Sequence, residues 1–177
     1  VMLVLYIILI IIALVLILAL VVSRDANYEK SILIDAGIEK VWKNTNSLAA
    51  MDRWSPWSAR DPNMETTLTG TDGQPGACQS WVSKNKNVGE GSQTILAVAA
   101  PKRLDTRLDF VKPFKSTANA YVVLSEEGKG TKATWGFRSR MPYPMNLMKL
   151  FMNFEKSMDK DFGSGLSKLK DLSERKS

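Results

Sequence analysis

Histidine is absent from this chain, and there is a single cysteine, Cys78. A Ser-His-Asp triad and a Cys-His dyad both need an imidazole as base, and zinc sites are built from Cys and His, so none of these is available. One cysteine closes no internal disulfide and says little about compartment. A phosphate-cradling glycine loop is missing too, because Gly70, Gly73 and Gly76 fall in a turn between strand patterns and open no helix. No two carboxylates stand out as an acid-base dyad. No catalytic residue, metal ligand or cofactor is therefore assigned. Any enzyme chemistry would rest on Asp, Glu, Tyr, Arg or Lys.

Charge is absent from residues 1–22, VMLVLYIILIIIALVLILALVV. As a helix rising about 1.5 Å per residue, this stretch spans roughly 33 Å, enough for a bilayer core of about 30 Å. A signal peptide has a shorter apolar region, about 7–15 residues, and ends in small residues. Leu20-Val21-Val22 offers no such cleavage site. Residues 1–22 are thus expected to form a retained single-pass anchor, followed by a linker over 23–27 and one domain over 28–175. The chain opens on Val, so further residues are expected upstream, and the positive-inside rule depends on them. After the span, Arg24 and Lys30 are matched by Asp25 and Glu29. That balance favours an extracytoplasmic, periplasmic domain.

The net charge of +6 lies wholly beyond the apolar stretch. Its densest basic run, KLKDLSERK, is interrupted by acids. A mixed solvated surface accounts for it, and no nucleic-acid partner is expected.

The remaining chain alternates in period two and then in period 3.6. YEKSILIDA, Tyr28–Ala36, sets Ile32, Ile34 and Ala36 against Ser31, Leu33 and Asp35, and so reads as a strand. Two short helices follow, with Ser47 as a possible N-cap of the second. In MDRWSPWSARDP, Met51–Pro62, the two prolines predict a loop. A series of strands comes next. The clearest, RLDTRLDFVK, turns Leu104, Thr106, Leu108 and Phe110 one way and Arg103, Asp105, Arg107 and Asp109 the other. Cross-strand ion pairs are expected on the charged face. Gly128-Lys129-Gly130 marks a hairpin. After Pro144, one stripe runs from Leu147 through Phe151, Phe154, Met158 and Phe162 to Leu172, predicting a single long helix over about 145–173. Gly163 and Gly165 inside it either admit a close approach to the sheet or kink the helix. Strands flanked by helices argue an α+β fold with the long helix in the concavity of a curled antiparallel sheet.

The aromatic and sulfur-bearing residues are the positive signal. Trp54, Trp57, Trp81, Phe110, Tyr121, Trp135, Phe151 and Met158 fall on strand faces, in the tryptophan loop and on the long helix. If the sheet curls, they face one another. They then fill a solid core, or they line a cavity for a lipophilic molecule.

SILIDAGIEKVWKNTNSLAAMDRWSPW resembles the opening of the SRPBCC superfamily, which includes the START, pollen-allergen and polyketide-cyclase-like helix-grip domains. Bacterial members often read Ser-Ile-x-Ile-x-Ala-Pro-x-Glu-x-Val-Trp. Ser31, Ile32, Ile34, Ala36, Glu39, Val41 and Trp42 match, and Gly37 stands where Pro is usual. Further matches are Trp54–Trp57, Gly128–Thr131, Thr134-Trp135 and Asp161–Glu174, so the resemblance covers Tyr28 to Glu174. It implies about seven antiparallel strands gripping a C-terminal helix, with a hydrophobic tunnel between them. Relatives bind lipids, sterols or hormones, cyclise polyketides, or assist a chaperone, and no catalytic signature carries over. On this basis the eight residues above are the candidate ligand contacts. Trp54 and Trp57 would cap the tunnel mouth, rest on the bilayer interface, or plug the end of the core. The expected function is non-catalytic binding of a membrane lipid or other hydrophobic small molecule beside the membrane. The alternatives are an accessory subunit docked on other membrane protein subunits and, behind it, a cyclase-like enzyme.

Overall fold

A computed structural model describes residues 2–151 and 153–175. Val1, the first residue of the expected span, lies outside them. The uncharged stretch forms one helix, α1 (Met2–Val21), with only Ala19 buried.

Strand β1 (Asp25–Ile34) starts almost directly after it. The segment expected as a linker over 23–27 is therefore largely strand. Burial alternates there, but Ala26 is the one apolar residue among residues 23–27, too little for a period-two signal in the sequence. Its backbone is nonetheless paired, in register with Asp25 opposite Arg140, and the Met141 amide donates to the Arg24 carbonyl at 2.8 Å.

Two short helices follow, α2 (Ile38–Trp42) and α3 (Leu48–Asp52). The Ser47 hydroxyl accepts from the Ala50 amide at 3.1 Å, which caps α3 as expected. Asp72 takes the amides of Leu48 and Ala49 at 2.8 and 3.1 Å. The tryptophan stretch is not all loop, since Pro56–Arg60 forms a third short helix, α4. Pro56 sits in its first turn, where a missing N–H costs nothing, and Ser55 caps it.

The strands β2 (Glu65–Thr69), β3 (Cys78–Val82), β4 (Glu90–Ala99), β5 (Arg103–Lys112), β6 (Ser116–Glu127) and β7 (Gly130–Arg140) complete one sheet with β1. The seven strands run in the order β1-β7-β6-β5-β4-β3-β2, all antiparallel. β5 alternates as its sequence demands, with Leu104 and Thr106 buried. Its charged face differs in detail. Arg103 pairs with Asp105 at 2.7 Å and Arg107 with Asp109 at 2.8 Å, along the strand and not across it.

The C-terminal stripe is split between elements. A 3-10 turn (Met145–Leu147) leads into α5 (Met148–Phe151), and a separate long helix, α6 (Phe154–Glu174), lies in the sheet's concavity. The split has a tertiary cause. The chain around the turn is held against α1, where the buried Asn146 donates through Nδ2 to the carbonyls of Ala19 and Val22, each at 2.8 Å. Phe162, Leu166 and Leu169 of α6 are buried among Ile34, Leu104, Val122, Leu124 and Ala133 of the sheet. Each such large side chain contributes about 1.5–3 kcal/mol of burial. This is the helix-grip architecture that the sequence resemblance implied.

Candidate functional site

The packing between sheet and α6 is uneven along the strands. Towards the β6–β7 hairpin the concave side is filled by Leu104, Val122, Leu124 and Leu169. Towards the opposite end the strands carry Gln79, Trp81, Gln93, Leu108, Phe110, Ala120, Trp135 and Phe137, and between them and α6 lies a cavity of about 380 Å³. Met51, Asp52, Trp54, Trp57 and Ser58 of the short-helix region close one side, Met158 and Phe162 of α6 another. Asn87 and Lys112 to Phe114 line it while exposed to solvent, and so form its rim.

The aromatic wall is a set of edge and face contacts around Trp135. Its ring stacks on Phe162 at 4.0 Å between centroids. Trp54 and Trp57 meet it edge-on at 4.8 and 5.7 Å. Trp54 is almost fully buried and donates through Nε1 to the Asn44 carbonyl at 2.8 Å, so it belongs to the core as much as to the cavity. Trp57 is half-buried in the wall. Across the cavity, Trp81 meets Phe110 edge-on at 6.0 Å. Trp81 lies over Gly91, its partner on β4, and a Cβ there would sit 2.6 Å from the ring. The missing side chain lets the indole lie flat.

Six of the eight expected residues therefore line one cavity: Trp54, Trp57, Trp81, Phe110, Trp135 and Met158. Tyr121 and Phe151 do not. Ala120 faces the cavity, and period two then turns Tyr121 to the convex side of the sheet. There its hydroxyl donates to the Glu29 carboxylate and its ring lies under Arg103 and Arg138, 5.1 and 5.2 Å from the guanidinium carbons. Phe151 sits on α5, ahead of the gripped helix, and is 88% exposed.

The sequence reading missed the polar side of the cavity. Asp52 accepts from the Ser58 hydroxyl at 3.3 Å and from Gln79 Nε2. Burial pushes its carboxyl up, against the two hydrogen bonds that favour its charge. Gln93, also lining the cavity, donates to Thr106 Oγ1 at 3.0 Å. These groups are separated by 27 residues between Asp52 and Gln79, and only the curl of the sheet joins them. The one available hint was the polar residues Gln79 and Gln93 within strand patterns. Among the described residues Lys112 on the rim is the only cationic lining residue, and it pairs with Glu90 at 2.7 Å. Among the described residues no cluster of three His, Cys, Asp or Glu could hold a metal. A mainly apolar, aromatic chamber with a few hydrogen-bonding groups on one wall suits a small lipophilic or amphipathic molecule.

Residues 25–174 match the family described as polyketide cyclase / dehydrase and lipid transport. No curated protein matches the sequence. Solved structures share its fold at low identity. Protein MLL2253 from Mesorhizobium loti is 14% identical with a TM-score of 0.61, covering 86% of this chain and 99% of that one. Ara h 8.0201 is 13% identical with a TM-score of 0.57, covering 84% and 97%. The di-domain ARO/CYC BexL from the BE-7585A biosynthetic pathway is 14% identical with a TM-score of 0.59, covering 87% of this chain and 52% of that one.

Proposed function

We infer, from the premise that this chain belongs to the polyketide cyclase / dehydrase and lipid transport family, that its cavity holds one lipid-like molecule beside a membrane in which α1 is the anchor. The observation that carries this reading is the open space between Trp135, Phe162, Trp81 and Phe110, walled by rings and closed on one side by Asp52, Gln79 and Gln93. A hydrocarbon tail would lie among the rings. A hydroxyl or amide on the guest would meet the polar wall. Each methylene kept from water is worth about 0.8 kcal/mol. It is equally dry in a bilayer, so movement between bilayer and cavity is close to balanced, as reversible carriage requires.

In this reading the domain acts by binding. The carboxylate on the polar wall, Asp52, accepts from Ser58 and Gln79, which leaves it as a hydrogen-bonding group for a guest's polar end. The 20 uncharged residues of α1 leave nearly their whole surface for lipid or for neighbouring helices.

Native mass spectrometry of the full chain, released from a mild detergent, tests the reading. One bound hydrophobic molecule per chain is expected. Ala120→Phe, which fills the chamber from β6, should abolish it while circular dichroism stays unchanged. An adduct equally abundant in Ala120→Phe, or no adduct in any preparation, would overturn it. Stoichiometric co-elution of other membrane proteins with an empty cavity would favour the accessory-subunit alternative.

A further inference from the structure

The strand register puts the cavity mouth and the root of α1 at the same end of the domain. Asp25 at the start of β1 lies opposite Arg140 at the end of β7. One residue earlier on β7, Ser139 lies opposite Ala118 of β6. Continuing that register sets Thr117 level with Arg140. The β5–β6 turn then reaches Phe114 three residues beyond Thr117, as Val22 lies three residues before Asp25. The turn and the end of α1 thus stand at the same height, two to three strand spacings apart, or roughly 10–15 Å. The turn also belongs to the cavity lining, and because Lys112, Pro113 and Phe114 line the cavity while exposed to solvent, they mark its rim.

That end of the domain is apolar at its tips. Phe114 is 65% exposed, Leu150 56% and Phe151 88%, and Val111, Tyr143 and Met145 are exposed beside them. It is basic around them. At this level of the domain the sequence places Arg24, Lys112, Lys115, Arg140 and Lys149, against Asp25, Glu90, Asp109 and Glu155, with Lys112 paired to Glu90. The segment carrying Tyr143 and Phe151 is fastened to α1. The Tyr143 hydroxyl donates to the Leu16 carbonyl at 3.0 Å, Asn146 donates to Ala19 and Val22, and Lys149 donates to the carbonyls of Ser23 and Asp25. Leu16 is five residues from the end of α1, about 7.5 Å along its axis. A helix that crosses a bilayer would place Tyr143 at the headgroup level, where tyrosine is favoured.

We propose that this end of the domain is a second membrane-contact surface. Phe114, Leu150 and Phe151 insert at the headgroup boundary of an anionic bilayer, the basic residues face its phosphates, and the cavity opens directly onto lipid. The proposal rests on α1 being the anchor proposed above. It adds that the domain lies on the membrane with its mouth down and does not swing freely on a tether. The gain is that a guest need not cross water, and the basic residues at this end are drawn to an anionic surface.

The test uses the full chain in a Cys78→Ser background, reconstituted in vesicles of phosphatidylcholine and phosphatidylglycerol at about three to one. Phe114→Cys, Phe151→Cys and Leu33→Cys each receive an environment-sensitive fluorophore. Leu33 is exposed at the far end of β1 and serves as the reference. Quenching by a shallow lipid-borne spin label should be several-fold stronger at 114 and 151 than at 33, and quenching by aqueous iodide several-fold weaker. A lipid-borne quencher also separates bilayer contact from a fluorophore folded into the cavity. Chain that floats with carbonate-washed vesicles yet shows all three sites equally open to iodide overturns the contact surface alone. Chain that carbonate strips from the vesicles overturns the anchor and the contact surface together.

Discussion

A Cβ placed on Gly165 would lie 2.8 Å from Cζ3 of Trp135, nearer than packed carbon atoms come. The helix is pressed against the indole there, and Pro56 and the Trp54 carbonyl hold the other side at 3.3 and 3.4 Å. Trp135 is stacked on Phe162 and cannot retreat. Gly165→Ala is therefore expected to lose stability despite gaining about 1 kcal/mol of helix propensity, because overpacking costs about 1–3 kcal/mol. Gly163→Ala is the matched control. Its Cβ would meet only the flexible end of Lys30, at 3.3 Å, so propensity wins and stability rises. Thermal melts of the full chain in one detergent compare the two.

Asp52 is half-buried beside the cavity, and its partial desolvation holds its carboxyl above the usual carboxylate range. Between its unfolded value and the raised folded one, the native state keeps a proton that the unfolded chain has lost. Stability thus falls as pH rises through that window and stays lower above it. Asp52→Asn should match or exceed the parent's melting temperature at neutral pH, with the difference vanishing in acid. Ser58 can reverse its hydroxyl to accept from the new amide. A guest with a polar group on that wall should change affinity in the variant, whereas a plain hydrocarbon should not. Calorimetric melts across pH and native mass spectrometry read the two effects.

Asp159 on α6 receives a hydrogen bond from Lys30 at 2.5 Å and another from Tyr28 at 2.6 Å, both from β1. The lysine first and the tyrosine second hold its carboxyl below the ordinary range. Its contribution is present above the unfolded carboxylate value and is lost as pH falls through the lowered folded one. Tyr28 is pushed up to about 12, chiefly by desolvation and then by its bond to Asp159. The folded state therefore resists its ionisation, and stability declines as pH rises from about 10 towards that value. Tyr28→Phe should flatten the alkaline limb of the pH–stability curve, and Asp159→Asn the acid limb. Melts of both variants across pH decide it.

Tyr121 lies on the convex face with Glu29, Arg103 and Arg138 and covers Gly136, whose added Cβ would fall 2.0 Å from its ring. Tyr121→Leu should cost stability, with each cation–π contact worth about 0.5–1 kcal/mol at such sites, and leave uptake of a guest unchanged. Trp81→Leu, on the concave face in the cavity wall, should lower uptake. Denaturation midpoints and adduct abundance separate the two faces.

Period two in Arg103–Lys112, the capping serine at 47 and the uncharged start of the chain each reflect local chemistry, so they could be read without coordinates. Six cavity residues were legible for the same reason, as large apolar side chains on faces of known phase. Tyr121 misled because its strand, Ala-Tyr-Val-Val-Leu, is apolar on both faces and its phase shows only once Ala120 is seen to point inward. Phe151 misled because its spacing to Phe154 continues the helical stripe in sequence, while in the fold α5 ends at Phe151 and the gripped helix begins at Phe154.

Sequence alone determined the anchor-like helix, the strand-rich domain and the long gripped helix, because hydrophobic period is a local property of the chain. Only tertiary structure decided that the concavity is filled at one end and open at the other. It also decided that Asp52 meets Gln79, and that the opening shares its end with α1. Those outcomes depend on sheet curl and register, which bring together residues far apart in the chain.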